Sequence, residues 1–582
     1  MTADAPLVEV DGLTFRYRRA GEPAIRDISL TISPGEVLLV AGPSGCGKST
    51  LIRALNGLIP HAYPGELSGD VRIDGRRTAD MRLRDISLHV GTVLQDPAKQ
   101  IVGATVESEL AFGPENLGVP REEIRTRIAR VLDRAGIGPL AGRETSELSG
   151  GEQQLLAVAG ILMMEPRLFV VDEPLANLDP TTAARLLAIL RSLADEGHSV
   201  VIVEHRVEEA LDLNPDRVLY LDNGKERFQG GVDGFLRTAD PAAVKLPFEV
   251  VLERTRRQRA STTTALPPDL GFAREVEADP TGVPHLEYRA VHAGYEGREV
   301  LHGINLAFRT GEVVAILGPN GSGKTTLLRT AMRLLEPTSG SILLDGRPLA
   351  ERTVADLATV FGYVFQSPSQ MLFARTVREE LLFGPRNLGR DPASFDGLLA
   401  DAVRRTGLDS IDDLLDRPPL TLSFGQQKRL ALAIALALEP RTLILDEPSA
   451  GQDHRTSDRF MAEVMSIPGL DSIYLITHDV DLALTHADRI LLVRDGRVVA
   501  DGPPATVIQD EERWIACNLR PTSLLRANAR WGTGSGRLLD AQSLADRIIS
   551  TEGAVSAEAR GEGGARRLSP LIPRPDQHTV EG

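Results

Sequence analysis

The chain has 582 residues, a formal net charge of −16 and two cysteines, Cys46 and Cys517. That length makes about two to four domains of ordinary size, and the acidity argues against nucleic acid as the main partner, because a phosphate backbone needs a basic face. Two cysteines so far apart give neither a disulfide framework nor a thiolate metal site, and they fit a reducing cytoplasm.

No signal-peptide pattern opens the sequence. Its longest apolar runs, Leu155–Met164 and Leu430–Leu438, fall short of the ~20 residues that cross a bilayer. The expectation is a soluble protein, or one that sits on a membrane through the helices of other subunits.

In chain order, one pattern is written twice at a spacing of about 275 residues, far longer than the roughly 20–50 residues of a solenoid repeat. Residues 1–240 are predicted as a first domain and residues 285–518 as a second. Residues 241–284 read as a linker whose basic run, Arg254–Arg259, is solvated; residues 519–582, rich in Gly, Arg, Ser and Pro, read as a disordered tail with room for one short helix over Leu539–Ile549.

Each copy opens with a β-rich segment carrying an aromatic, Tyr17 or Tyr295. An apolar strand (Val37–Ala41; Val313–Leu317) then leads into a glycine-rich loop and a helix. The loops are GPSGCGKST (Gly42, Pro43, Ser44, Gly45, Cys46, Gly47, Lys48, Ser49, Thr50) and GPNGSGKTT (Gly318, Pro319, Asn320, Gly321, Ser322, Gly323, Lys324, Thr325, Thr326). Strand, loop and helix in this order are the context of a phosphate-binding loop. The glycines let successive N–H groups face phosphate oxygens, and the helix N-terminus adds partial positive charge. Lys48 and Lys324 stand where an ammonium reaches the β- and γ-phosphates; Ser49 and Thr325 stand where a hydroxyl ligates Mg²⁺.

Next comes a strand ending in Gln95 or Gln366, then a helical segment with one apolar face (Ile124, Ile128, Leu132; Phe395, Leu398, Leu399, Ala402, Val403). A glycine-bearing turn opens a long apolar helix (LSGGEQQ from Leu148; LSFGQQKR from Leu422). A buried strand ends in Asp172-Glu173 or Asp446-Glu447, and a last one ends in His205 or His478. Strands alternating with helices predict an α/β fold with a mainly parallel sheet covered on both faces. Ligands of such sheets bind beyond the carboxyl ends of the strands, so these residues should converge on one nucleotide per copy. Asp172 and Asp446 are placed to hold Mg²⁺, with Gln95 and Gln366 as further candidates. Glu173 and Glu447 are placed to orient or deprotonate a water facing the γ-phosphate, and His205 and His478 to sense that phosphate. Tyr17 and Tyr295 are candidates to stack on adenine. Cys46 occupies a variable position of its loop, and no chemistry is assigned to its thiol.

Taken together these motifs resemble two ATP-binding-cassette ATPase domains in tandem, across about four-fifths of the chain. LSGGEQQ is the most specific of them. The resemblance implies two phosphate-loop domains facing head to tail, each ATP held by the phosphate loop of one and the signature turn of the other. One site would join Lys48, Ser49, Gln95, Asp172, Glu173 and His205 to Ser423 and Gly425. The other would join Lys324, Thr325, Gln366, Asp446, Glu447 and His478 to Ser149 and Gly151. Asp179 and Asp453 lie where the family communicates between sites. The second signature departs from the pattern at Phe424, and the second communicating loop departs from the usual Leu-Asp ending; neither change removes a catalytic group, so both sites are expected to be competent.

The segments QDPAKQIVGATVESELAFGPENLG and QSPSQMLFARTVREELLFGPRNLG follow the two glutamines. Their FGPxNLG phrase (Phe112–Gly118; Phe383–Gly389) resembles energy-coupling-factor ATPases, as does GLIPHAYPGELSG at Gly57–Gly69. That resemblance implies a peripheral subunit on the cytoplasmic face of the membrane. It would power import of a vitamin or a transition-metal ion through a transmembrane scaffold and a membrane substrate-binding subunit. Three rivals remain in view. A ribosome-acting tandem ATPase would carry a long charged connector. A sugar-importer ATPase often has a lesioned second copy. A chromosome-maintenance ATPase needs a coiled coil between loop and signature.

Overall fold

A computed structural model describes residues 5–18, 20–176, 178–261, 284–531 and 538–561. Each half is built on a six-stranded sheet. In the first half the order is Lys225–Gly230, Arg217–Asp222, Val37–Ala41, Ser199–Val203, Leu168–Asp172, Val90–Val93. All neighbours run parallel except the outer Lys225–Gly230 strand. The second half repeats this order, with Val313–Leu317 between Ser472–Ile476 and Arg489–Arg494. Val, Leu and Ile fill these strands on both faces, which is what a doubly covered parallel sheet requires; every residue of Val37–Ala41 and of Val313–Leu317 is buried.

The two faces of the first sheet have separate cores. One receives the signature helix Gly150–Leu162 and the helix Pro180–Asp195. The other receives the phosphate-loop helix Lys48–Leu55 and a four-stranded antiparallel sheet begun by Val8–Tyr17. Among the described residues no helix is long and apolar enough to cross a membrane.

Two expectations are corrected. Residues 241–284 contain a helix, Phe248–Ser261, and residues 519–582 contain two, Ser523–Trp531 and Ala541–Gly561. The basic run belongs to the first of these helices: Arg256 and Arg257 stay exposed, while Arg254 and Arg259 are partly buried. Arg254 donates to the carbonyls of Leu236 and Ala239, Arg256 pairs with Glu552 at 2.6 Å, and Arg259 pairs with Asp546 at 2.7 Å. Burial drives this arrangement. Leu544, Ala545 and Ile548 share one face of the last helix and enter the same core as Phe248 and Val251 of the first half. The last described helix thus packs on the first half. The expectations for residues 262–283 and 562–582 fall outside the described residues.

Candidate nucleotide sites

Both phosphate loops have the close-packed backbone that their glycines permit. Gly42 has φ +150°, and a Cβ there would stand 2.2 Å from the Leu221 carbonyl oxygen; at Gly318 the same distance, to Val493, is 2.0 Å. No side chain can be tolerated at either position. Lys48 and Lys324 are buried, and each Nζ donates to its own loop: Lys48 to Gly42 O (2.8 Å) and Pro43 O (2.9 Å), Lys324 to Gly318 O and Pro319 O (both 2.8 Å). The ammonium groups therefore lie over the cradle. Burial lowers the pKa of Lys324, against the opposing charges of Glu447, Asp446 and Asp179.

The acids stand at the carboxyl ends of adjacent parallel strands. Burial, with Glu173 beside it, pushes the Asp172 carboxyl up to about 6, while Ser49 hydrogen-bonds to it. Asp172 Oδ1 is buried with no hydrogen-bond partner. An orphaned carboxylate oxygen next to a serine hydroxyl is a donor set that suits a hard divalent cation, and Mg²⁺ bound there would neutralise phosphate charge. In the second site Asp446 is likewise pushed up to about 6 by burial, but Tyr363 Oη donates to its Oδ2 at 2.5 Å. Sequence reasoning missed Tyr363. Its signal was the register of two neighbouring parallel strands: it pairs with Ile444, two residues before Asp446.

Glu173 and Glu447 have left-handed φ values of +46° and +49°. Such a conformation in a residue with a side chain costs about 1–3 kcal/mol and persists where the surroundings impose it. Here the backbone N–H groups are tied to the next strand, Glu173 N to Val203 O at 2.9 Å and Glu447 N to Ile476 O at 2.8 Å. Each carboxylate meets its histidine. Glu173 Oε1 pairs with His205 Nε2 and Glu173 Oε2 accepts from Gln95 Nε2 at 2.5 Å. Glu447 Oε2 pairs with His478 Nδ1 at 2.9 Å. Burial raises the pKa of both glutamates, yet the histidines and the nearby lysines outweigh it, so both carboxyls stay below their ordinary range and ionised. An ionised carboxylate held in this way can accept a proton from water.

The signature turns sit at helix N-termini. Ser149 and Ser423 each close a reciprocal capping box, with Glu152 and Gln426 respectively, and Gly151 and Gly425 lie in the first turn. Across the halves, Asp453 Oδ2 accepts a hydrogen bond from Ser44 N at 2.7 Å. The charge of Asp179 reaches Lys324. A Cβ on Gly451 would stand 3.8 Å from Gln95 Nε2. The structure therefore brings the loop after Glu447 against the first phosphate loop.

Of the aromatics, Tyr295 is exposed and lines a cavity of about 650 Å³ with the second phosphate loop, Gln366, Asp446 and Glu447. Tyr17 is half-buried, its ring edge-on to Phe15 and its hydroxyl held by Arg53 (2.7 Å) and Thr50 (3.2 Å). Cys46 is buried, and burial pushes its thiol up.

Fold and site together define two phosphate-loop ATPase domains on one chain. A family model described as "ABC transporter" matches residues 25–176 and 301–450. An ABC transporter ATP-binding protein of Methanosarcina acetivorans is 36% identical over 552 residues, covering 89% of each chain. One from Caldanaerobacter subterraneus is 34% identical over 559 residues, 91% of this chain and 97% of the relative. The solved structure of cbiO1 from Clostridium perfringens, described as part of the ABC transporter complex cbiONQ, is 36% identical and covers 41% of this chain and 95% of that one, with a TM-score of 0.36. The chain belongs to the ABC transporter family and carries two ATP-binding domains that hydrolyse ATP.

Proposed function

We propose that this protein is the ATPase subunit of an energy-coupling-factor importer for a vitamin or a transition-metal ion. It works from the cytoplasmic face of the membrane on a transmembrane scaffold and a membrane substrate-binding subunit. Each site takes Mg²⁺ and ATP. Lys48, Ser49, Gln95, Asp172, Glu173 and His205 act with Ser423 and Gly425 in the first; Lys324, Thr325, Gln366, Asp446, Glu447 and His478 act with Ser149 and Gly151 in the second. Tyr17 and Tyr295 stack on the adenines. Binding draws the halves together, and cleavage lets them part.

One observation carries the transport reading. Just past each glutamine a short loop presents an apolar tip, Val102 (63% exposed) and Phe373 (66% exposed). Each loop is fixed from below by a buried glutamate. Glu109 Oε2 accepts from Val102 N and Gly103 N at 2.8 and 2.6 Å; Glu380 Oε2 accepts from Phe373 N and Ala374 N at 2.9 and 2.8 Å. Phe373 also packs edge-on to the exposed Phe383, centroids 4.7 Å apart. Exposed aromatics on a rigid backbone suit a partner's helix, not free solvent.

The test is expression with and without candidate membrane subunits. Phe373→Ser with Phe383→Ser should keep the ATPase activity of the isolated protein and lose recovery with membranes. Recovery with ribosomes, or membrane recovery that ignores both substitutions, would overturn the reading.

A further inference from the structure

The segment after each glutamate runs toward the facing half, and the two halves hold it with different side chains. In the first half Arg206 Nη1 donates to Leu175 O at 2.7 Å and Leu178 O at 3.4 Å, while Glu204 Oε1 accepts from Leu175 N at 2.7 Å. Matching the two strands by their terminal histidines sets Thr477 at the position of Glu204 and Asp479 at that of Arg206. Neither reproduces the device. Thr477 Oγ1 accepts from Asp479 N, and Asp479 is taken by Lys245.

The second half holds other carbonyls of the corresponding segment, and it does so from the signature helix. Lys428, on the signature helix, is 1% exposed, and its Nζ donates to Pro448 O and, at 3.3 Å, to Ala450 O. Its counterpart in LSGGEQQ is Gln154, whose Nε2 is buried with no partner. The exchange is therefore matched: where the strand-end arginine is lost, a lysine on the signature helix appears. The loop it holds ends at Asp453, which caps the next helix through Thr456 N (2.8 Å) and accepts from Ser44 N in the first phosphate loop.

We propose that Lys428 is a positioning residue for the first nucleotide site, acting on it across the halves through the loop Pro448–Asp453. The inference rests on the reading that the second half completes that site. A buried amine that satisfies two carbonyls fixes the loop's backbone, and an error of about 1 Å in a docking group can cost ~10²-fold in rate. Arg206 does the corresponding work for Asp179.

The experiment is hydrogen exchange on the full chain with ATP and Mg²⁺, comparing wild type, Lys428→Gln, Asp453→Ala and Ser423→Ala, together with steady-state ATPase assays. Lys428→Gln should speed exchange about tenfold at 448–453 and at the first phosphate loop, 42–48, and leave the second loop, 318–324, unchanged. It should lower kcat about tenfold with little change in KM, and the double variant with Asp453→Ala should lose no more than Asp453→Ala alone. Faster exchange at 448–453 with none at 42–48 would reduce Lys428 to a local structural role and overturn the inference. Multiplicative losses in the double variant would overturn it too. If Asp453→Ala and Ser423→Ala also leave 42–48 untouched, the cross-half reading itself fails; if they loosen it and Lys428→Gln does not, the assignment to Lys428 alone fails. Should Lys428→Gln not fold, Lys428→Met, close in volume, answers the same question.

Discussion

Asp453 accepts a hydrogen bond from the backbone nitrogen of Ser44, 409 residues earlier, at 2.7 Å. One end of this bond lies six residues past Glu447 of the second half, and the other lies inside the phosphate loop of the first. A backbone N–H of such a loop is a group that anions seek. Its capture by a carboxylate of the other half ties the first phosphate loop to the segment that follows Glu447.

The glutamates should each govern their own site. Glu173→Gln and Glu447→Gln keep shape and lose the carboxylate that accepts a proton, so each is expected to lower turnover at its site by about 10²-fold while ATP binding persists. Single-turnover hydrolysis beside equilibrium nucleotide binding checks this. Full wild-type rate in either variant would show that site to be silent.

Tyr363 should distinguish the sites by their metal dependence. Its hydroxyl holds Asp446 Oδ2, whereas the matching position of the first half is Thr92, which accepts from Asn56 instead. Tyr363→Phe leaves a buried carboxylate oxygen without its donor, at a cost of about 1–3 kcal/mol. The Mg²⁺ concentration for half-maximal hydrolysis should shift in a Glu173→Gln background and stay fixed in a Glu447→Gln background.

Lys428 should give stability a particular pH dependence. Burial depresses its amine to about 7, against the opposing charge of Glu447, from an ordinary value of 10.5. Between those two values the unfolded chain binds the proton that the folded chain has released, so stability rises with pH, by about 1 kcal/mol per unit; below the lower value the cost of the buried charge is constant. Relative to Lys428→Met, wild type should gain in urea midpoint from pH 7 to pH 9 and run parallel to it below pH 7. A flat difference across that window would remove the depressed amine.

The C-terminal helix should be held by its apolar face and hardly by its ion pairs. Leu544 is fully buried, and Leu544→Ala is expected to cost about 2–5 kcal/mol. Arg256 and Glu552 are exposed partners, and Arg256→Ala should cost no more than about 1 kcal/mol. Thermal unfolding with protease sensitivity near residues 248–259 separates the two; equal effects would refute the packing argument.

Much of this was legible in the primary structure because the chemistry is local. A phosphate loop is nine consecutive residues whose glycines, lysine and hydroxyl act through their own backbone, so GPSGCGKST and GPNGSGKTT declare themselves without a fold. The acids and histidines were readable for a related reason: each ends a buried apolar strand, and in a parallel sheet those ends share one edge. In the tail the helix expected over Leu539–Ile549 lies largely within Ala541–Gly561, but its packing and the helix Ser523–Trp531 were not legible, because the apolar faces are short and sit among Gly, Arg and Ser. Whether Leu544 and Ile548 stay in water depends on a surface offered by residues some 300 positions earlier, and burial, unlike composition, is a property of both partners.

The sequence by itself determined that there are two phosphate-loop domains, their order and the candidate groups at their strand ends, since those follow from spacing along one strand-loop-helix unit. Tertiary structure alone decided that Asp453 meets Ser44, that Tyr363 holds Asp446, and that Lys428 in one half and Arg206 in the other donate to carbonyls of the segment after the glutamate. These are contacts between elements far apart in the chain. Their formation turns on which buried carbonyl or carboxylate would otherwise lack a partner, and only packing reveals that.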